Sequence, residues 1–223
     1  MQSKGWDWEN VNKGVKSTHL KPTEFGYYYA HTWKEAGHEK VLDLGTGLGR
    51  HAICFAKHGL KVSAIDISEY GINHLRTWAE NEKLIIDTKV GDMLSLPYAD
   101  KSFNCVFAYH VISHSNSIGI KKIIAEIERV LTPKGEVFLS FSSKETVDFI
   151  ESTQPKIDDN TLFWEGGPDI DGSPLYYADL SDINNLLSHF KIKSVKHTEY
   201  CSLDANNKRK SMVYYYVSAM LRL

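Results

Sequence analysis

Three glycines and one acidic residue are the first residues in this chain whose spacing suggests chemistry. Gly45, Gly47 and Gly49 follow the apolar run 40–44, and Asp66 ends the next apolar run. Glycine allows positive φ and close approach of a ligand to the backbone, and the N–H groups of a following helix suit an anion. A carboxylate about twenty residues further on can hold ribose hydroxyls. The spacing therefore predicts a nucleotide-containing ligand at this turn.

The residue after the turn bears on which nucleotide this is. Dinucleotide-binding enzymes carry Gly-x-Gly-x-x-Gly, and this pattern would need a third glycine at position 50, which is Arg50. Asp43 lies inside the preceding apolar run, where a buried carboxylate is costly without a partner. A ligand ammonium or the amides of the turn would supply that partner. A nicotinamide-dependent oxidoreductase remains one alternative at this point.

Short apolar runs alternate with amphipathic stretches along most of the chain. This alternation predicts an α/β fold, a doubly wound Rossmann-like three-layer sandwich with helices on both faces of the sheet. Predicted strands cover residues 40–44, 61–65, 84–90, 104–109 and 136–141, followed by 191–200 and 211–221. No helix separates the last two, so they are expected to pair antiparallel. The expected sheet has seven strands and is mostly parallel, with the last strand reversed.

Two segments lie outside this alternation but within a single domain spanning 1–223. Residues 1–37 are expected to form an N-terminal helical extension. Residues 142–178 are rich in glycine and proline and show little periodicity. Long segments of this kind are usually functional, so we expect an irregular insertion that covers the substrate site.

Composition limits the class of protein. The formal net charge of −2 predicts no nucleic-acid partner, because nucleic-acid binding usually shows as a basic surplus. No apolar run approaches the ~20 residues needed to span a bilayer, so no membrane association is expected. Cys54, Cys105 and Cys201 lie far apart, which predicts neither a metal site nor disulfides and favours a cytoplasmic setting.

Five segments, in order, resemble the motifs of class I S-adenosylmethionine-dependent methyltransferases, in particular the small-molecule, methyltransferase-11-like branch. They are VLDLGTGLGR at 41–50, IDIS at 65–68, GDMLSLPY at 91–98, FNCVFAYHVI at 103–112 and LTPKGE at 131–136. The last segment has Lys134 where the family has glycine. The resemblance covers residues 38–141 and implies S-adenosylmethionine as cofactor and in-line methyl transfer to a small-molecule acceptor.

The resemblance also assigns residues to parts of the cofactor. The methionine part would lie along Gly45, Thr46, Gly47 and Gly49, its ammonium near Asp43, and its carboxylate near Arg50 unless that residue is solvated. The ribose would be held by Asp66, and the adenine by Ile67, Asp92 and Met93. Ala108 and Tyr109 would close the site beneath the sulfonium.

The acceptor side is predicted from fewer residues. His110 directly follows the strand end that would face the methyl group, so it is the first candidate for a general base, and His114 is the second. Tyr109, beside His110, is the other candidate catalytic residue. Tyr28, His114, Trp164 and Tyr177 are the candidates for substrate binding. Aromatic rings there would exclude water and hold an apolar or cationic group. A purely structural role, fastening the extra segments to the core, stays open for each aromatic residue.

Two alternatives accompany the methyltransferase interpretation. Arg50, the Gly91-Asp92 pair and the expected antiparallel strand pair disfavour the oxidoreductase. A protein that binds S-adenosylmethionine without catalysis would retain the same motifs, so the sequence leaves it open. The run 108–111 lacks the Asn-Pro-Pro-Tyr pattern, which argues against nucleic-acid bases or protein glutamine as acceptors. The acceptor atom and the oligomeric state are left open.

Overall fold

A computed structural model describes residues 6–9, 19–165, 172–203 and 209–222. The rest of the expected N-terminal extension (1–5 and 10–18) and residues 166–171 of the expected insertion lie outside the described residues. The helices are α1 (Glu24–Glu35), α2 (Arg50–Lys57), α3 (Glu69–Asn81), α4 (Ser117–Val130), α5 (Val147–Ile150) and α6 (Leu180–Leu186). Within these ranges, no helix is both long and apolar enough to cross a membrane.

The strands are ten in number across the described residues. They are β1 (Lys40–Leu44), β2 (Lys61–Asp66), β3 (Ile86–Val90), β4 (Phe103–Ala108), β5 (Leu131–Ser143), β6 (Lys156–Asp158), β7 (Thr161–Trp164), β8 (Ser173–Ala178), β9 (Phe190–Leu203) and β10 (Arg209–Leu221). The first five lie in the order β3-β2-β1-β4-β5 and are parallel. Strand β10 runs antiparallel to both β5 and β9. This arrangement confirms the predicted doubly wound sheet with its reversed last strand.

The segment 142–178 differs from the expected irregular insertion. It contains the short helix α5 and a meander in which β6, β7 and β8 pair antiparallel in turn. Strand β8 also pairs in parallel with the end of β5, Tyr177 opposite Ser142. The three strands have only 3, 4 and 6 residues. Alternation over so few residues, interrupted by glycine and proline, gives no clear periodic signal.

Helix α1 fastens the N-terminal part of the chain to the sheet. Thr23 caps the helix by accepting from the Gly26 N–H. Phe25, Tyr29 and Trp33 are buried, because a spacing of four residues places them on one face of the helix. Their rings pack against Phe107 and Phe138 of the sheet. Helix α1 therefore extends the core on one face of the sheet.

Candidate active site

A cavity of about 420 Å³ opens at the carboxyl ends of β1, β2 and β4. Ligands of open α/β sheets bind at this edge, where the strand order reverses. Its walls come from the glycine turn, the end of β2, the loop after β4, and residues of the insertion and of β10. The volume lies within the range of about 300–1,000 Å³ typical of small-molecule sites.

The turn after β1 requires glycine for two separate reasons. Gly45 has φ +66°, and a Cβ there would lie 2.1 Å from Val111 Cγ2, a distance that no side chain tolerates. Its N–H donates to the Ile65 carbonyl at 2.8 Å. The backbone of the turn is thereby held against β2 and faces the cavity, where Gly45 and Thr46 form part of the wall.

Asp66 connects the end of β2 with this turn. Its Oδ2 accepts from the Gly47 N–H and its Oδ1 from the Ser68 N–H, each at 2.8 Å. The residue is buried but lines the cavity, and burial raises the pKa of its carboxyl. Each carboxylate oxygen can accept more than one hydrogen bond. The group can therefore still receive ligand hydroxyls on its cavity side.

Asp43 lies behind the turn and not in the cavity wall. Its Oδ2 accepts from Thr46 Oγ1 at 2.6 Å, and it also accepts from the backbone of Ala52. Burial raises the pKa of its carboxyl to about 7. Thr46 lines the cavity, whereas Asp43 and Ala52 do not. Asp43 thus lies one side chain behind the cavity wall, whereas the sequence predicted that it would meet the ligand ammonium directly or through water.

The other expected cofactor residues fall into two groups. The cavity wall contains Gly45, Thr46, Arg50, Asp66, Ile67 and Met93. Four further residues do not line it: Gly47, Gly49, Asp92 and Ala108. A Cβ at Gly49 would meet Leu75 of α3, so this glycine serves helix packing. Asp92 instead accepts from the Leu94 N–H at 2.8 Å, within the turn between the wall residues Gly91 and Met93.

His110 occupies an unusual backbone conformation at the end of β4. Its φ is +52°, in a region that non-glycine residues rarely adopt and that occurs often at functional sites. Its N–H donates to Ser140 Oγ of β5 at 2.6 Å. Burial first, then the nearby Arg50 and His114, lower the pKa of its imidazole to about 3. His110 is therefore neutral at physiological pH, and it lines the cavity.

Aromatic rings enclose His110 on both sides. Its ring stacks on Tyr109 at 4.0 Å and on Tyr214 at 4.1 Å between centroids. The guanidinium of Arg50 lies 5.5 Å from the centroid of the Tyr109 ring. Tyr109 and Arg50 also line the cavity. Tyr109 and His110, the expected catalytic residues, therefore lie close to Arg50, the first residue after the glycine turn.

Three of the four expected substrate residues lie in the cavity wall. His114, Trp164 and Tyr177 line it, and Trp164 Nε1 donates to the Tyr177 hydroxyl at 3.2 Å. The placement of Tyr28 differs from the expectation, because this residue is 60% exposed and does not line the cavity. The helical period that turns Tyr29 inward turns Tyr28 outward.

Several wall residues were not anticipated from the sequence. They are Trp6, Trp8, His51, Asp148, Met212 and Tyr214. Trp6 Nε1 donates to His114 Nε2 at 3.2 Å, and Trp6 stacks on Trp8 with centroids 5.4 Å apart. A Cβ on Gly47 would lie 2.5 Å from the Trp8 ring, so the indole rests directly on the glycine turn. Trp6 and Trp8 precede the first predicted strand, and two tryptophans in a polar segment were the feature of the sequence that could have indicated this contact.

Known proteins share both the sequence motifs and the fold. A family model described as a methyltransferase domain matches residues 41–135. The match covers the first four parallel strands and the start of the fifth, the part of the chain that forms most of the cavity wall on the side of the glycine turn. A solved S-adenosylmethionine-dependent methyltransferase from Methanosarcina mazei superposes with a TM-score of 0.73 at 19% identity, covering 92% of this chain and 100% of that one.

Curated methyltransferases match over part of the chain. A sterol 24-C-methyltransferase of Gibberella zeae is 35% identical over 112 residues, 49% of this chain and 29% of the relative. A glycine/sarcosine/dimethylglycine N-methyltransferase of Actinopolyspora halophila is 30% identical over 148 residues, 62% of this chain and 24% of the relative. The matches therefore span about a quarter to a third of the length of these relatives.

The walls of the cavity fit S-adenosylmethionine, the cofactor named for the solved methyltransferase that shares this fold. Gly45 and Thr46 form part of the cavity wall, so the cofactor can approach the backbone of the turn. Asp66 offers a buried carboxylate at the end of β2 for the ribose. Arg50 offers a cation for the carboxylate of the methionine part. The residues present thus fit the cofactor.

Proposed function

We propose that this protein transfers a methyl group from S-adenosylmethionine to a small-molecule acceptor bound in the same cavity. The observation that carries the proposal is that one cavity joins the glycine turn and Asp66 to His110 and an aromatic wall. The curated relatives are named for acceptors as different as a sterol and glycine. Their chemistry supports small-molecule acceptors as a class without choosing among them.

The cofactor, when bound, supplies a methyl group already activated on a sulfonium. Catalysis then depends mainly on aligning the nucleophile, the methyl carbon and the sulfur. We assign Arg50 and Asp66 to holding the cofactor, and Tyr109 and His110 to the wall beside the reacting atoms. Their positions at the ends of β2 and β4 and at the start of α2 are fixed by the sheet, which suits an alignment role.

His110 carries the catalytic part of the proposal. A neutral imidazole has one ring nitrogen that can accept a hydrogen bond, and burial keeps the pKa of this imidazole at about 3. So low a pKa suits His110 to orienting the proton of the nucleophile more than to removing it from a weak acid. We therefore expect an acceptor whose nucleophile needs orientation and little help in losing its proton.

The acceptor wall supports an apolar or aromatic compound. Trp164, Tyr177, Met212 and Tyr214 line this part of the cavity. Asp148 is an exposed carboxylate in this wall. Burial first, and the charge of Asp148 to a smaller extent, raise the pKa of the Tyr177 and Tyr214 hydroxyls. Rings and a carboxylate suit a small, uncharged or cationic molecule and disfavour a nucleic acid. The insertion that contributes Trp164 and Tyr177 would then cover the substrate.

The remaining aspects concern the setting of the protein. We propose a cytoplasmic location, supported by Cys54 and Cys105, which are buried thiols and not disulfide partners.

Calorimetric titration with S-adenosylmethionine, S-adenosylhomocysteine and NAD, run in parallel on the purified protein, tests the proposal. We expect both sulfur compounds to bind with micromolar or tighter dissociation constants and NAD not to bind. Methyl transfer is then followed with radiolabelled donor against a panel of apolar amines and phenols. Binding of NAD alone would refute the proposal, as would binding of neither sulfur compound.

Replacing Trp8 with Ala should weaken S-adenosylhomocysteine binding by up to about tenfold. The indole packs on Gly47 and would border the cofactor there, and one aromatic contact is worth about 0.5–1.5 kcal/mol. Trp78→Ala is the matched control, since Trp78 lies on α3 and is not part of the cavity wall. Equal affinity of the two variants would remove Trp8 from the site.

A further inference from the structure

One part of the cavity wall combines a carboxylate with aromatic rings. Asp148, Trp164, Tyr177 and Tyr214 all line the same cavity. We propose that they form a subsite for a cationic group of the acceptor, such as an ammonium, and that Asp148 is the residue that selects it. The place of this subsite in catalysis rests on the proposed function, whereas the preference for a cation can be measured without turnover.

Asp148 is held in the wall by the residues on either side of it. Thr146 Oγ1 donates to the Val213 carbonyl and accepts from the Val213 N–H, each at 3.2 Å, which ties the start of α5 to β10. The ring of Phe149 packs on the ring of Tyr177 of β8, with centroids 4.8 Å apart. The short helix that carries the carboxylate is therefore fastened to both strands that supply tyrosines to the subsite.

The carboxylate of Asp148 has no counter-charge in the part of the chain that the structure describes. Among these residues its side chain has neither an ion pair nor a hydrogen bond. Arg50 is the only lysine or arginine in the described wall, and it lies over the ring of Tyr109. Burial lowers the pKa of the His110 and His114 imidazoles to about 3 and about 4, so both are uncharged at physiological pH. A cation in this part of the cavity would therefore meet an uncompensated negative charge.

The rings around Asp148 favour the same kind of ligand. The Trp164 N–H donates to the Tyr177 hydroxyl at 3.2 Å, so the indole offers the cavity its π surface and no further donor. Asp148 lies near both tyrosines, since its charge adds to burial in raising the pKa of the Tyr177 and Tyr214 hydroxyls. Aromatic faces attract cations, and tryptophan does so most strongly.

The carboxylate also acts against uncharged acceptors. Asp148 is exposed to solvent, and an acceptor that fills this part of the cavity removes water from it. An ionised carboxylate that loses its water without gaining a partner is costly. A cationic group offsets this cost and an uncharged group does not, so the same residue attracts one class of acceptor and rejects the other.

An isosteric pair of probes tests the subsite. Choline and 3,3-dimethylbutanol have the same shape and differ only in the charged nitrogen or uncharged carbon at the quaternary centre. Ligand-observed NMR measures both dissociation constants, on the protein alone and on the protein saturated with S-adenosylhomocysteine. We expect choline to bind about tenfold more tightly than its uncharged isostere, because it gains both the carboxylate and the rings.

Three variants assign this preference to residues. Asp148→Asn keeps the shape and removes the charge, so the two probes should bind almost equally. Glu151→Gln is the matched control, because Glu151 is an exposed carboxylate three residues further on that does not line the cavity. Its preference for choline should equal that of the wild-type protein. Trp164→Leu should weaken choline several-fold more than the isostere.

The outcomes separate this proposal from the proposed function. Equal binding of the two probes to the wild-type protein, binding of neither, or a preference that Asp148→Asn leaves intact would overturn the subsite. A protein that binds S-adenosylhomocysteine without preferring choline keeps the proposed function and loses the subsite, and the reverse result keeps the subsite alone. With a cationic acceptor in hand, Asp148→Asn should raise KM more than it lowers kcat.

Discussion

The substitution Asp66→Ala is expected to weaken the binding of S-adenosylhomocysteine by about 100-fold. We expect this carboxylate to accept the ribose hydroxyls, and one hydrogen bond to a charged group contributes about 1.5–3 kcal/mol. A difference of 1.4 kcal/mol corresponds to about tenfold in affinity. Calorimetric titration of the variant beside the wild-type protein measures the change directly.

Two controls separate binding from folding in this variant. Asp66 also accepts from the backbone of Gly47 and Ser68, so the free energy of unfolding is measured without ligand. Asp87→Ala is the matched variant, because Asp87 is an exposed carboxylate on the neighbouring strand β3 that accepts from Ser63. We expect Asp87→Ala to bind normally. An Asp66→Ala variant that is folded and binds equally well would exclude Asp66 from the ribose site.

A second large effect concerns the pH dependence of stability through Asp43. Burial raises the pKa of its carboxyl from the ordinary value of 3.8 to about 7. Below about pH 4 the group is protonated in both states. Between about pH 4 and 7 the unfolded chain releases the proton while the folded protein keeps it, so stability falls as pH rises. Above pH 7 the loss is complete and amounts to about 4 kcal/mol, at about 1.36 kcal/mol per pKa unit.

The variant Asp43→Asn isolates this contribution because an amide does not titrate. The difference in free energy of unfolding between Asp43→Asn and the wild-type protein should increase by several kcal/mol, in favour of the variant, between pH 4 and pH 8. Denaturant unfolding at a series of pH values measures it. Groups that do not interact with Asp43 titrate equally in both proteins and cancel, whereas the charge of Asp66 also raises the pKa of Asp43 and its titration is part of the measured difference. A pH-independent difference would show that Asp43 is ionised in the folded protein throughout this range.

The places of Gly45 and Asp66 in the cavity wall could be predicted from the sequence because their determinants are local. Gly45 needs its residue type for the conformation and surroundings of its own turn. Asp66 lies where a strand ends, and strand ends are visible as breaks in an apolar run. Asp43 is the instructive exception. Its position in the strand was clear, but its attachment to Thr46 rather than to the cavity depends on side-chain geometry.

The acceptor half depends on contacts between distant parts of the chain. His110 contacts Tyr214 and Tyr216 because β10 pairs with β5. The residues near His110 in the sequence do not indicate which residues of β10 lie opposite those of β5. Tyr28 was misplaced for a different reason. Tyrosines occupy positions 27, 28 and 29, and each points in a different direction around the helix. Tyr29 is the one that faces the core, because it lies four residues from both Phe25 and Trp33.

The attachment of β8 to β5 bears on how the acceptor range of such a protein can diverge. The meander β6–β8 joins the parallel sheet at the last residues of β5, where Ser142 and Ser143 pair with Tyr177 and Ala178. The glycine turn and Asp66 are held instead by the pairing of β1 with β2 and β4. Residues of the meander can therefore be exchanged without disturbing the glycine turn and Asp66, to which we assign the binding of the methyl donor. The wall formed by Trp164 and Tyr177 can therefore change with the acceptor while the strands that hold the glycine turn and Asp66 stay the same.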